Sequence, residues 1–168
     1  MNITFRLLFL SVCFFICASC SKEDDKYPVV GDWELIMWTV GIPFDLGNNQ
    51  VHSLNFLDKT ACNVNETLNF NHKGIVTSSN TFNPEITIRL KEDTSDVYFV
   101  EEICDEGTIG FSTSYLQVDK LNIELNNAVG MVERNKLTLV YANAIKIYNE
   151  VFTEVIESKD LTLVYRKK

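Results

Sequence analysis

Apolar and polar residues alternate with a period of two along most of the chain beyond residue 30. Leu121, Ile123 and Leu125 interleave with Asn122, Glu124 and Asn126, and Ile86, Ile88 and Leu90 with Thr87 and Arg89. The same beat runs through Leu137, Leu139 and Tyr141, and again through Leu161, Leu163 and Tyr165. Neighbouring side chains of a strand point to opposite faces, so each segment reads as a half-buried antiparallel strand with one greasy and one wet face. Turn-forming words separate them: Asn71-His72-Lys73-Gly74, Asn83-Pro84, Glu92-Asp93-Thr94-Ser95, Asp105-Glu106-Gly107, Asn126-Asn127, Arg134-Asn135 and Ser158-Lys159-Asp160. With seven glycines in the chain, asparagine is expected to supply several of the left-handed turn positions. Short strands so punctuated predict an all-β fold, an antiparallel up-and-down barrel of about eight strands. The word LTLVY occurs at both Leu137–Tyr141 and Leu161–Tyr165, and is read as recurring strand composition rather than a repeat. Residues 144–157 fit a helical stripe (Ile145, Tyr148, Phe152, Val155) as well as a strand. The β-branched Ile145, Ile147, Val151, Thr153, Val155 and Ile156 favour strand.

The first residues follow a different pattern. After the single cation Arg6, residues 7–18 are apolar almost throughout. At about 12 residues the run is shorter than the roughly 20 that span a bilayer, so it reads as the core of a signal peptide. Ala18-Ser19-Cys20 follows, small residues and then a thiol. This resembles the lipobox of bacterial lipoproteins and implies that Cys20 is the lipidated first mature residue, although Cys17 stands where that motif carries an aliphatic side chain. An ordinary secretory cleavage nearby is the alternative. Ser21-Lys22-Glu23-Asp24-Asp25-Lys26 has no apolar residue, so it reads as a solvated tether. It also resembles the Lys-then-acidic tag that sends some lipoproteins to the outer face of the outer membrane. The expected layout is a signal peptide over 1–19, lipidated Cys20 and tether over 20–28, and one domain over 29–168. The expected location is the cell envelope, as an outer membrane lipoprotein exposed at the surface.

Charge narrows the partners. With Lys+Arg 15 against Asp+Glu 23 the formal charge is −8. No basic stripe is present to meet nucleic-acid phosphates or anionic lipid, so neither is expected as a partner. Hydrophobic residues at 46% suffice for one core in a domain of this size. Of five cysteines, Cys13 and Cys17 leave with the signal peptide and Cys20 is acylated. Cys62 and Cys104 remain, and in an oxidising compartment they are expected to pair. Neither has a CxxC partner, and His52 and His72 lack ligand spacing, so no metal is expected.

Gly31-Asp32-Trp33 opens the first strand. This resembles the Gly-x-Trp signature of lipocalins, which implies that Gly31 and Trp33 close one end of the barrel. The resemblance makes Arg166, on the last strand, the candidate cation over the indole. Thr60–Gly74, with Cys62, Asn63, Asn65-Glu66, Thr67-Leu68-Asn69-Phe70 and Gly74, is similar to a word of lipocalin-like bacterial lipoproteins. That family carries a second, later cysteine, as Cys104 is here. Lys159–Tyr165 resembles its last strand, whereas residues 78–127 match in strand pattern alone. A short helix or loop is implied after strand one. Relatives often carry a calcium-like Asp-x-Asn-x-Asp-Gly loop where this chain has Asp45-Leu46-Gly47-Asn48-Asn49-Gln50. With one carboxylate left and the turn glycine replaced by Gln50, calcium binding is expected to be weak or absent.

Catalysis finds little support. Glu101-Glu102 and Asp105-Glu106 are adjacent pairs whose side chains diverge on a strand. Ser78, Ser79, Ser112 and Ser114 have no histidine near them in sequence, and no Gly-rich phosphate loop occurs. No enzymatic activity and no cofactor are expected. The leading expectation is a small apolar ligand in or at the mouth of the barrel. Phe70, Phe99, Phe111 and Tyr115 are its candidate contacts. The alternative is a solidly packed barrel that serves as a structural or protein- or glycan-interaction module at the surface. The two differ in whether those aromatic residues leave volume or fill it. No protein partner can be named from the sequence.

Overall fold

The computed structural model describes residues 27–43, 53–104 and 107–168. The signal segment, Cys20, the tether to Lys26, the 45–50 loop, His52 and Asp105-Glu106 lie outside the described residues. Among the described residues ten strands follow one another: β1 (Gly31–Thr39), β2 (Thr67–Phe70), β3 (Ile75–Ser78), β4 (Glu85–Leu90) and β5 (Tyr98–Ile103). Then come β6 (Phe111–Gln117), β7 (Asn122–Leu125), β8 (Ala128–Glu133), β9 (Lys136–Tyr148) and β10 (Val155–Lys167). A 3-10 turn, Phe56–Asp58, follows β1, where a short helix or loop was expected.

Hydrogen-bonded neighbours run β1-β2-β3-β6-β7-β8-β9-β10, and β10 pairs back onto β1. Eight antiparallel strands therefore close into the up-and-down, lipocalin-like barrel that the alternation predicts, and closure removes the open edges of a flat sheet. The hairpin β4–β5 leaves the barrel wall between β3 and β6. It joins the overhanging half of β9 through the parallel pairs Ile88↔Ile147 and Arg89↔Tyr148. At one end of the barrel lie Tyr27–Gly31, the Asn71–Gly74 turn and the C-terminal Lys167. At the other lie residues 60–66, the 79–84 loop, and the β9–β10 overhang.

Two apolar clusters hold these parts together. Inside the barrel, Trp33, Leu35, Leu68, Phe70, Val76, Ile123, Leu125, Leu137, Leu139 and Tyr165 are buried with their neighbours, and Phe111 and Tyr115 pack against them. Above the barrel, Trp38, Val40, Ile42, Phe56, Ile88 and Ile147 seal the β4–β5 hairpin onto β1 and the overhang. Asn55 joins the two levels. It caps the 3-10 turn and bonds β1 at the bulge between Leu35 and Met37, accepting from Trp38 N at 3.0 Å and donating to Ile36 O at 3.2 Å.

The two LTLVY words are direct neighbours, with Leu161↔Tyr141, Leu163↔Leu139 and Tyr165↔Leu137 in register. Two expectations need correction. Ser158-Lys159-Asp160 is not a turn but part of β10, where a register shift between Lys159 and Leu161 absorbs its polarity. The Asp160 carboxylate there accepts from Asn143 N at 2.8 Å. The chain reverses instead at 149–154, inside the segment read as one strand. Ala144–Tyr148 and Val155–Glu157 are strand as expected, and the side chain of Asn149 between them accepts from Thr153 N and Glu154 N, forming the turn. Asparagine supplies positive φ at Asn126 and Asn143, while Asp93, Arg134 and Phe152 also take that conformation.

Candidate functional site

The first candidate site was the barrel interior. Phe70 is 1% exposed and its ring meets that of Tyr115 at 5.0 Å in an edge-on contact, with Phe111 beside the same cluster. The Tyr115 hydroxyl donates to Asn71 O at 2.8 Å, which satisfies it without a ligand. Phe99 is not in the barrel at all. It lies on β5, 40% exposed, with the Arg89 guanidinium 5.8 Å from its ring. Phe99 was expected to point into the barrel; instead its hairpin leaves the barrel wall and Phe99 is on the exposed face of β5, while Tyr98 and Val100 on the other face pack against the upper cluster. Three surface cavities, of about 280, 240 and 520 Å³, are lined by none of these four aromatic residues.

At the tether end, Trp33 is fully buried and its Nε1 donates to Val29 O at 2.5 Å. The cation over its ring is Lys167 rather than Arg166, with Nζ 5.5 Å from the centroid. Trp33 and Lys167 are cross-strand partners, so both face inward, whereas Arg166 pairs with Glu34 and faces out, its guanidinium 3.0 Å from the Glu34 carboxylate. Gly31, at φ +122, lies beneath the Lys167 chain. A Cβ there would stand 3.2 Å from Lys167 Cε, so the absence of a side chain lets the lysine pass. Lys167 Nζ then reaches Pro28 O at 3.0 Å. These contacts fasten the end of the barrel.

The opposite mouth carries the polar chemistry. Glu66, just before β2, is 4% exposed, and its carboxylate accepts from Tyr165 Oη at 2.7 Å and from Phe82 N at 2.7 Å. Burial pushes its pKa up from the usual carboxylate value, and the two hydrogen bonds pull part of the way back. Burial likewise raises Tyr165 well above its ordinary value, and the nearby Glu66 charge adds to this. Glu66 thus plugs the barrel and anchors the loop above it. Its sequence signal is its phase, because Glu66 falls on the same alternate positions as Leu68 and Phe70 and so points inward with them.

Above this plug lies the pocket of about 280 Å³. The disulfide between Cys62 and Cys104, Cα atoms 5.3 Å apart, forms one wall, as the cysteine count predicts. It ties the end of β5 to the segment before β2. Beside it, Glu102 accepts from Thr60 Oγ1 and from Ala61 N at 2.8 Å. The two sulfurs and the Glu102 carboxylate converge, but sulfur held in a disulfide offers no thiolate to a metal. The facing wall is the 79–84 loop, held by Phe82 N on Glu66 and by Thr81 N on Ile109 O at 2.7 Å. Gly110 lets the two walls meet, since a Cβ there would stand 2.8 Å from Ser78 O.

Comparison with known protein families, curated proteins and solved structures finds no match to this chain.

Proposed function

We propose that this chain is a lipid-anchored module of the cell envelope, a lipocalin-like lipoprotein held in an outer membrane through Cys20. In this reading its packed barrel carries a recognition surface at the mouth remote from the anchor. The observation that supports it most is the filled interior, where side chains from seven barrel strands meet in one buried cluster and Phe111 and Tyr115 of β6 pack against it. A small apolar ligand inside would have to displace Phe70, Tyr115 and their neighbours. Closely packed interiors resist even one added methylene. Barrel architecture alone hosts many functions, so the weight falls on the site.

The position of Tyr27, the first described residue, supports this role. It contacts His72 at the end of the barrel opposite the pocket. A tether leaving from there turns the pocket mouth away from the membrane. Nine residues of β1 separate the two ends, roughly 30 Å at about 3.3 Å per residue. Several acyl chains, at about 0.8 kcal/mol per buried methylene, make such an anchor effectively permanent.

Two readouts in cells test the proposal. Incorporation of a clickable palmitate analogue should be lost in Cys20→Ser, with release of the protein from the membrane fraction. The barrel should be digested by protease added to intact cells. A Cys20→Ser variant that stays in membranes, or a domain that resists protease until cells are lysed, contradicts the proposal.

A further inference from the structure

We infer that β5 is a docking edge for a second copy of this chain, joined strand to strand about a two-fold axis through Val100. The inference goes beyond the anchored-module reading and holds whether or not Cys20 carries lipid. Among the described residues the hydrogen-bonded order ends at β5, whose bonded neighbour is β4 alone. Lys91 N donates to Val97 O at 2.9 Å, in register with Arg89↔Phe99, Thr87↔Glu101 and Glu85↔Ile103. Bonded and unbonded residues alternate in an antiparallel pair. Tyr98, Val100 and Glu102 therefore turn their N–H and C=O groups away from β4, to the open side.

Open edges invite pairing, and proteins blunt them with bulges, proline or free charges. The overhanging sheet has two edges among the described residues, and they differ. Beyond its pairing with β1, β10 is broken by register shifts at Val155/Glu157 and Lys159/Leu161. β5 runs without a shift and without proline. Its two carboxylates are already engaged, Glu101 with Arg89 and Glu102 with Thr60 and Ala61.

The edge is also complementary to itself. Val97, Phe99 and Ile103 are 45%, 40% and 64% exposed, and Phe99 and Ile103 share the outer face of β5. About an axis through Val100, antiparallel pairing sets Val97 opposite Ile103 of the second copy and Phe99 opposite Glu101 of the second copy. Each apolar pair loses water, and no carboxylate stands directly across from another. Arg89 lies beside Phe99 on β4, its guanidinium 5.8 Å from the ring. The arriving Glu101 thus enters a row that already holds a cation. An axis at Glu101 would set two carboxylates face to face, and one at Phe99 would leave Ile103 facing Ser95. A strand that pairs with itself closes the assembly at two chains.

The test is native mass spectrometry of the full-length protein in detergent over a concentration series, with thiol cross-linking as the check of register. A dimer is expected at micromolar chain. Val100→Pro deletes the N–H at the axis, which does not serve the β4 ladder, so the fold should stand while the dimer Kd rises at least tenfold. Ile103→Lys, on the exposed face, should weaken the dimer independently. In an equal mixture of Val97→Cys and Ile103→Cys chains a short bismaleimide should join one to the other. Val97→Cys alone should not link, because its two copies would lie roughly 20 Å apart at about 3.3 Å per residue. A monomer at every concentration, which would leave β5 to a strand of some other protein, overturns the inference. So does a dimer that survives both Val100→Pro and Ile103→Lys, or one in which Val97→Cys alone links as fast as the mixture. None of these results touches the palmitate and protease readouts, so the two proposals fail separately.

Discussion

Replacing Gly130 by alanine probes directly how full the barrel is. Gly130 is buried on β8, directly across from Ile123 on β7 and Leu139 on β9. A Cβ at this position would stand 2.6 Å from Ile123 Cγ1 and 2.7 Å from Leu139 Cδ2. Apolar carbons rest about 3.5–4.0 Å apart, so each neighbour must retreat by roughly 1 Å. Overpacking of this kind costs about 1–3 kcal/mol. Gly130 has an ordinary negative φ, so alanine also restricts the unfolded chain and returns about 0.4–1 kcal/mol. The net expectation is a loss of about 1–2 kcal/mol, read as a lower urea midpoint at unchanged slope. Leu139→Ala alone should cost about 2–5 kcal/mol. The double variant should fall short of the sum by about 1 kcal/mol or more, because the new methyl occupies space the leucine vacates. A slack interior gives the opposite sign. If Gly130→Ala stabilises the protein, or the two changes simply add, the packed-barrel argument is refuted.

Other consequences follow from the same coordinates. Replacing Cys62 and Cys104 together by serine opens a crosslink spanning 42 residues and should lower stability by up to about 4 kcal/mol, measured by urea unfolding of oxidised wild type against the variant. Glu66 has a raised folded pKa, so the folded state holds that proton more tightly than the unfolded chain. Its contribution is most favourable at low pH and is lost as pH rises from the ordinary carboxylate value, about 4.5, through the raised folded value. The stability of wild type relative to Glu66→Gln should therefore decline as pH rises across that window, and a difference that grows with pH contradicts the assignment. Lys167→Met should alter the fluorescence of Trp33 and cost about 0.5–1 kcal/mol, whereas Arg166→Met on the outer face should leave the emission unchanged.

The residues explain what the sequence could reveal and what it could not. Strands were legible because half-buried antiparallel sheet imposes a period of two, and the identical LTLVY words prove to be neighbouring strands of the barrel. Cys62 and Cys104 were legible because, if the chain is exported and acylated as proposed, they are the pair that remains. The cation over Trp33 was misplaced by one residue, and one residue on a strand is the whole difference between inside and outside. Ser158-Lys159-Asp160 has turn composition, yet Asp160 spends its polarity on Asn143 N across a bulge. Phe99 was misjudged on two counts, since its strand lies in a hairpin outside the barrel wall and it is Tyr98 and Val100, not Phe99, that face the apolar cluster there. Glu66 stood in phase with Leu68 and Phe70 and could have been noticed. The pocket beside the disulfide had no such signal, since residues 63–65, 79–84 and 107–109 meet only once the barrel has closed.

Native mass spectrometry of the full-length protein expressed in cells and purified in detergent bears most directly on the claim that the barrel is packed rather than hollow. The predicted spectrum carries the mass of the chain, with the acyl groups of the proposed Cys20 anchor, and no further adduct once detergent is stripped. A lipid or pigment that stays bound in fixed stoichiometry through that stripping would contradict it.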